Sequence, residues 1–319
     1  MTASWKRLVG NTTFTESRNM ANKIGCERLF LKFEGNNPTG TQKDRIALAL
    51  SEHAKSQGFQ DITAGTCGNL GAALAHAANY YGLTARIFLP KGYHVHKPRI
   101  KLMEELGAKL YYVDGHYEDT IEYSADCSKD NNWFNANPGM NGTSELSINA
   151  YTGIALEIYR RLRRAPDCVI CPVGNGTTIA GIYKGFKDLF ESHKIPHIPR
   201  MIAVSTRRGN PIIKSFKMKS RTILDLNPNE IAETKVNEPL TNWHAFDGQE
   251  ALDAIYGSNG FADYASDGKM IEFAKLVKQD EGLNVLPASA STLAVLSSIA
   301  KEGFAIKGTY VAILTGRNG

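Results

Sequence analysis

The chain lacks the long apolar runs, leader and cysteine pattern of membrane and secreted proteins. No stretch of its 319 residues approaches the roughly 20 uninterrupted apolar residues of a membrane helix. The first residues, MTASWKRLVG, contain no apolar signal core. Five cysteines at scattered positions are typical of free thiols in a reducing compartment. The sequence therefore predicts a cytoplasmic protein without a membrane partner.

Patterns that bind metals are also scarce. The histidines form no HExxH motif, and the CxxC pair of Cys168 and Cys171 has no second pair or Cys/His cluster to complete a ligand set. Both cysteines lie in the apolar run CVICPV, which is typical of a strand. We therefore expect two buried thiols there, and no metal site.

Charge is modest, with a formal net charge of +5, and its Lys/Arg excess is concentrated between Arg200 and Arg221. A nucleic-acid surface is one interpretation of this run, but no aromatic platform interleaves with it. A solvated face, or a positive field for an anionic small substrate, is the simpler interpretation. We expect a small-molecule substrate and no nucleic-acid partner.

Short β-rich runs alternate with longer amphipathic segments along the chain. The predicted strands are 28–34, 61–65, 85–90, 108–114, 168–173, 201–206 and 310–315. The predicted helices are 44–58, 69–82, 97–106 and 178–190. This alternation predicts an α/β fold with a mainly parallel sheet. Ligands of such sheets bind beyond the carboxyl ends of the strands, so the chemistry should lie in the strand-to-helix turns.

Two turns in the first quarter of the chain contain candidate residues. In GNNPTGTQKDR (35–45), a rigid turn places Lys43 at the start of a helix. A surface lysine is the ordinary alternative to a Schiff-base lysine at such a position. In AGTCGNLGAALA (64–75), small residues precede a helix whose free N–H groups suit a carboxylate, although the glycines could merely allow close packing.

Two turns later in the chain complete the set. CPVGNGTTIAG (171–181) combines a strand end, glycines and a helix start, which describes a backbone phosphate cradle. It matches neither the P-loop nor the dinucleotide fingerprint. In ILTGRNG (313–319), Thr315 ends the final predicted strand, where its hydroxyl could face a ligand ring.

In this order, the four turns resemble pyridoxal-5'-phosphate (PLP) enzymes of the tryptophan-synthase-β family, also called fold type II. The likeness runs from LVGNTTF through EGNNPTGTQKDR, TCGN and LMEELGAKL to VGNGTTIAGIYKGFKD, PASASTLAVL and the final LTG. The segments NPTGTQKDR, PASAS and LTG look most like the threonine synthases of this family, which convert O-phosphohomoserine and water to threonine and phosphate.

The resemblance implies two α/β lobes, each a mainly parallel twisted sheet flanked by helices. Residues 46–142 would form a smaller mobile lobe that closes on substrate. Residues 1–45 and 143–319 would form the larger cofactor-binding lobe, with the cofactor in the cleft. Homodimerisation is usual in the family and is expected here.

The resemblance also implies a role for each matching residue. Lys43 would hold PLP as a Schiff base and, once freed, move protons. Asn69 would hydrogen-bond the 3'-oxygen of the cofactor, and Thr315 would meet its pyridine nitrogen. The residues that would bind the substrate carboxylate are Thr66, Cys67 and Gly68. The residues that would enclose the PLP phosphate are Gly174, Asn175, Gly176, Thr177 and Thr178.

The chain departs from many threonine synthases at Gln42, Thr177, Leu286 and Tyr151. Tyr151 stands where those enzymes often carry a lysine for the substrate phosphate. A serine/threonine dehydratase, or an O-phosphoserine- or O-acetylserine-dependent replacement enzyme, therefore stays open. A catalytically inactive regulatory protein of the same fold is a further alternative. It predicts a missing lysine or a broken cradle, whereas this sequence has both the lysine and a complete cradle.

Overall fold

The computed structural model describes residues 5–91, 97–140, 142–302 and 306–318. In chain order the strands are β1 Thr13–Glu16, β2 Cys26–Phe33, β3 Asp61–Gly65, β4 Thr84–Pro90, β5 Lys109–Val113, β6 Phe134–Asn135, β7 Cys168–Pro172, β8 Arg200–Thr206, β9 Phe261–Ala265 and β10 Ile306–Leu314. The helices are α1 Trp5–Leu8, α2 Arg18–Ile24, α3 Lys43–Ser56, α4 Asn69–Tyr81, α5 Lys97–Glu105, α6 Tyr117–Asn131, α7 Ser144–Leu162, α8 Thr177–Glu191, α9 Pro211–Lys217, α10 Gly248–Gly257, α11 Asp267–Glu281 and α12 Ser291–Lys301.

The chain divides into two compact units. The first combines the described residues up to Gly10 with Asn37–Ala150, and the second combines Asn11–Asn36 with Tyr151–Asn318. The predicted smaller lobe, 46–142, falls within the first unit. Its closing on a substrate stays a prediction.

The first unit is built on a parallel sheet in the order β5-β4-β3-β6. Helix α6 packs on β3 and β4, while α4 contacts the same two strands together with α3 and α5. Strand β3 and helix α4 have the bounds that the sequence pattern predicts, within one residue.

The pattern does not predict α6, and its buried face explains why. This face contains Thr120, Ser124 and Ser128, so the apolar periodicity of a helix is weak. Each hydroxyl donates to the carbonyl oxygen three residues earlier, at 2.6, 3.0 and 2.6 Å respectively. Satisfied within their own helix, these polar side chains can face the sheet without a desolvation penalty.

The second unit contains a sheet in the order β1-β2-β10-β7-β8-β9, in which only the β1–β2 pairing is antiparallel among the described strands. One hydrophobic core joins residues of β2, β7, β8 and β10 to α2, α11 and α12. The two units together confirm the predicted α/β class with mainly parallel sheets. None of the helices in the described ranges is long and apolar enough to cross a membrane.

A charged cluster lies in the interior of the second unit. The Lys32 side chain on β2 is fully buried, and its Nζ lies 2.5 Å from Oε2 of Glu157 and 3.6 Å from Oε1 of Glu34. Lys32 also donates to the carbonyl oxygen of Thr12 at 2.9 Å, and the Thr12 hydroxyl donates to Glu34 at 2.6 Å. Protein oxygens from three residues therefore surround the cation.

Candidate active site

Lys43 is the first residue of α3 and is half-buried. The turn before it closes through a hydrogen bond from the Gly40 N–H to the Asn37 carbonyl at 2.8 Å, with Gly40 at a φ of +89° that favours glycine. The buried carboxylate of Asp44 accepts from both the N–H and the hydroxyl of Thr39, each at 2.9 Å. The lysine thus projects from a tightly fixed helix start.

Thr66–Asn69, here called the carboxylate loop, connects β3 to α4. The buried Thr66 hydroxyl accepts from the Gly68 N–H at 3.0 Å, and Gly68 has a φ of +141° at the helix start. Cys67 and Asn69 are half-buried. Helix α3 ends near the amino end of β3 and runs antiparallel to it, so α3 begins near the carboxyl end of the strand. Helix α4 starts directly after that carboxyl end, so both helices begin on the same side of the sheet. The structure therefore brings Lys43 and the carboxylate loop to one edge of the first unit.

The neighbouring glycines serve close packing, the alternative that the sequence leaves open. A Cβ on Gly65 would lie 2.5 Å from the backbone nitrogen of Ile121. A Cβ on Gly71 would lie 2.7 Å from Sδ of Met103 and 2.9 Å from Cγ2 of Thr66. Gly68 differs from both, because its positive φ shapes the loop itself.

Gly174–Thr178, here called the phosphate cradle, connects β7 to α8. Gly176 has a φ of +97°, and a Cβ there would lie 2.6 Å from the carbonyl oxygen of Asp247. Thr177 and Thr178 are buried and open the 15-residue helix α8. The first N–H groups of a helix have no intrahelical acceptor and lie at the positive end of its dipole. The cradle therefore has the geometry of an anion site.

The buried amide side chains of Asn210 and Asn242 hydrogen-bond to the phosphate cradle. Asn210 donates through Nδ2 to the carbonyl oxygens of Val173 and Gly174, at 3.2 and 3.0 Å. Asn242 donates to Oδ1 of Asn175 at 2.8 Å, so the Asn175 side chain is turned toward the protein. These bonds occupy carbonyl and side-chain acceptors and leave the main-chain donors of the helix start for a ligand.

A buried carboxylate completes this support. Asp247 is fully buried, and its Oδ2 accepts from the Thr177 hydroxyl at 2.5 Å. Its own N–H donates to the Asn175 carbonyl at 3.1 Å. Sequence reasoning misses Asp247 and Asn242, because neither belongs to a motif. Asn210 has a local signal only as the cap before Pro211.

Thr315 follows β10, which pairs in parallel with β7, so Thr315 and the phosphate cradle lie on adjacent strand ends. Its hydroxyl lies 2.9 Å from the hydroxyl of Ser289, which also accepts from the Gly316 N–H at 3.0 Å. Ser289 belongs to the PASAS segment, whose role the sequence alone does not reveal. The described contacts make it the support of Thr315.

The sequence model of the family described as "Pyridoxal-phosphate dependent enzyme" matches residues 6–316. The chain belongs to this family. Its cofactor is therefore PLP, and a small molecule is its substrate.

Two curated relatives are threonine synthases. That of Methanocaldococcus jannaschii is 30% identical over 313 residues, which cover 97% of this chain and 75% of the relative. That of Methanosarcina acetivorans is 29% identical over 312 residues, covering 96% and 74% respectively. Among solved structures, maize serine racemase superposes with a TM-score of 0.82 at 20% identity, covering 99% of this chain and 91% of that one. This likeness shows the shared fold.

The residues present fit PLP. The cradle supplies main-chain donors at a helix start, which suits the phosphate, and Gly176 occupies a position that a side chain could not fill without displacing Asp247. The half-buried Thr315 supplies a neutral hydroxyl on the adjacent strand end, which suits a ring nitrogen. Lys43 supplies an amine on a fixed helix start.

The CxxC cysteines take no part in this arrangement. Cys168 and Cys171 are buried on β7, as predicted from their apolar run. Burial raises the pKa of both thiols, so each stays protonated at neutral pH.

Proposed function

We propose that this PLP-dependent enzyme is a lyase of the threonine-synthase type, which forms threonine and phosphate from O-phosphohomoserine and water. The observation that carries the proposal is the similarity to the Methanocaldococcus jannaschii threonine synthase, at 30% identity over 97% of the chain. The fixed helix start of Lys43 and the supported cradle argue for a working enzyme over an inactive relative.

Each candidate residue has a proposed task. Lys43 binds the cofactor covalently through its amine and, when displaced by the substrate amine, moves a proton at the substrate α-carbon. Asn69 hydrogen-bonds the ring oxygen of the cofactor. The phosphate cradle binds the cofactor phosphate through main-chain donors, with Asp247 and Asn210 keeping the loop in place.

The carboxylate loop binds the substrate carboxylate. Thr66, Cys67 and Gly68 stand at the start of α4, where backbone N–H groups and the helix dipole favour a negative group. The hydrogen bond between Gly68 and Thr66 keeps the loop in one shape. Binding the carboxylate here would orient the α-hydrogen of the substrate for removal by Lys43.

PLP supplies, when bound, the stabilisation of negative charge at the α-carbon that lets a β- or γ-substituent leave. Thr315 tunes this capacity. The 2.9 Å contact between the Ser289 and Thr315 hydroxyls allows either to donate; when Ser289 donates, the Thr315 hydrogen is available to a ring nitrogen that carries no proton. A neutral hydroxyl does not hold that nitrogen protonated as a carboxylate would, which favours elimination and replacement over transamination.

One observation favours a second candidate, a dehydratase or a replacement enzyme acting on another amino acid. Tyr151, at the position where threonine synthases often carry a phosphate-binding lysine, is fully buried. A buried tyrosine brings no positive charge to a substrate phosphate.

The deciding experiment is a substrate comparison with PLP-loaded enzyme. Phosphate and threonine should both form from O-phosphohomoserine, with kcat/KM higher than for O-phosphoserine, O-acetylserine, serine or threonine. Turnover of one of the other amino acids, with none of O-phosphohomoserine, would replace the first candidate by the second.

Assembly and location follow the same resemblance. We propose a homodimer, which light scattering on the purified protein would test. Among the described residues, none of the five cysteines forms a disulfide bond, which supports a reducing compartment such as the cytoplasm.

A further inference from the structure

A pocket lies in the second unit, at the opposite end of its strands from the phosphate cradle. It has a volume of about 410 Å³. Its lining residues are Phe216, Lys217, Lys219, Arg221, Tyr256, Phe261 and Ala262. Phe261 is the first residue of β9, which runs parallel to β8 and β7. The pocket therefore borders the amino ends of these strands, whereas the cradle follows the carboxyl end of β7.

Three aromatic rings form its apolar part. The ring centroid of Phe216 lies 5.2 Å from that of Tyr256 and 6.1 Å from that of Phe261. All three side chains are half-buried, so part of each ring remains accessible. Tyr256 and Phe261 come from a later part of the chain than Phe216. Folding thus gives the basic run an aromatic surface that is not visible in the sequence of the run.

The Arg221 guanidinium is held in a position from which it can bind an anion. Its guanidinium carbon lies 4.0 Å from the ring centroid of Tyr256, so the cation is stacked on the ring. The Gln249 side chain fixes the backbone that follows Arg221: it donates to the Arg221 carbonyl oxygen at 3.0 Å and accepts from the Ile223 N–H at 3.1 Å. A stacked guanidinium keeps its N–H donors at the edge of its plane, where they match the oxygens of a phosphate.

The charges around the pocket are unbalanced. Lys217 is paired with Asp263 at 2.7 Å. Within the described part of the chain, neither Lys219 nor Arg221 forms an ion pair, and both are exposed. Two positive charges are therefore available beside an apolar surface.

One polar atom of the lining lacks a partner. The Tyr256 hydroxyl is buried and has no hydrogen-bond partner among the described residues. Such a group is costly in the protein interior unless something satisfies it. Because this oxygen is itself buried, the part of Tyr256 that is accessible from the pocket is its ring.

We propose that this pocket binds a phosphorylated small molecule with a flat apolar ring, the chemistry of a nucleotide. The phosphate binds Arg221 and Lys219, and the ring packs against Phe216 and Phe261. The volume is within the range of about 300–1,000 Å³ that is usual for small-ligand sites. A pocket of this size accommodates one such molecule. This inference is independent of the proposed threonine-synthase activity.

The test is calorimetric titration of the PLP-loaded enzyme with ADP, adenosine and inorganic pyrophosphate. Loading with PLP occupies the cofactor-phosphate site, so binding there does not contribute. ADP should bind, whereas adenosine and pyrophosphate should each bind at least about tenfold more weakly, because each lacks half of the recognised structure.

Two variants locate the binding. Arg221→Ala should weaken ADP binding by about tenfold or more. Tyr256→Phe keeps the ring on which Arg221 stacks and should leave the affinity nearly unchanged. Arg161→Ala, at an exposed arginine of α7, should leave it unchanged. Thermal unfolding of each variant checks that it is folded. Absence of ADP binding, equal binding by pyrophosphate, or an unaltered affinity in the folded Arg221→Ala variant would overturn the proposal.

Discussion

The functional turns of the two units are held in place in different ways. In the first unit, near neighbours in the sequence contribute: Asp44 holds Thr39 five residues away, and Thr66 holds Gly68 two residues away. Arg99 adds a hydrogen bond to the Thr39 carbonyl oxygen from 60 residues away. In the second unit, the cradle depends on Asn210 and Asp247, whose contacts to it span 36 to 70 residues. The turns of the first unit therefore combine contacts within a few residues with distant ones, whereas the described side-chain support of the cradle comes from residues far along the chain.

The largest expected effect concerns the Lys43 turn of the first unit. Lys43→Ala should lower kcat by roughly a thousandfold or more, because both covalent attachment and proton transfer are lost, and should abolish the visible absorbance of the bound cofactor. Stability should change little, since Lys43 is half-buried at a helix start. Lys55→Ala, at an exposed lysine of the same helix, is the control. An intact visible band in Lys43→Ala would show that another residue binds the cofactor.

The second effect concerns stability in the unit with distant contacts. Lys32→Met should lower the free energy of unfolding by about 3–5 kcal/mol, because Glu34 and Glu157 lose their buried cation. Urea denaturation measures this change. Lys187→Met removes an exposed pair with Glu191 and should cost under about 1 kcal/mol. Equal losses in the two variants would mean that the buried cluster contributes no more than a surface pair.

The third effect distinguishes two glycines with positive φ. Gly176→Ala should destabilise the protein by about 2–4 kcal/mol. The backbone strain of a positive φ is added to the clash of a Cβ that would lie only 2.6 Å from the Asp247 carbonyl oxygen. PLP affinity, followed by its visible absorbance, should fall as well. Gly82→Ala meets no atom within 4 Å and should incur only the strain of about 1–2 kcal/mol, with unchanged PLP affinity. The comparison fails if Gly82→Ala weakens PLP binding equally.

The smallest effects compare the two threonines directly. Thr177→Val leaves the buried Asp247 carboxylate without this donor and should cost about 1–3 kcal/mol. Thr66→Val removes one hydrogen bond to the Gly68 N–H and should cost about 0.5–1.5 kcal/mol. Thermal unfolding of both variants gives the two values. A larger loss for Thr66→Val would mean that the short-range hydrogen bond to Gly68 contributes more than the long-range one to Asp247.

Prediction from the sequence succeeds where the signal is local. The run DITAG and the following alanine-rich segment predict β3 and α4, because strand and helix periodicities are carried by a few consecutive residues. It fails for α6, where buried hydroxyls replace the expected apolar stripe. It also misses Ser289, whose contact with Thr315 spans 26 residues.

The sequence by itself determined the alternation of strands and helices, the glycine-rich turns between them, and the amine at the start of α3. These follow from backbone sterics and short-range periodicity, which act within a few residues. Only the tertiary structure decided the strand order, the burial of Lys32 among carboxylates, the amides and Asp247 behind the cradle, and the aromatic surface beside Arg221. Such contacts join residues far apart in the chain, and their partners are selected by packing that no local segment encodes.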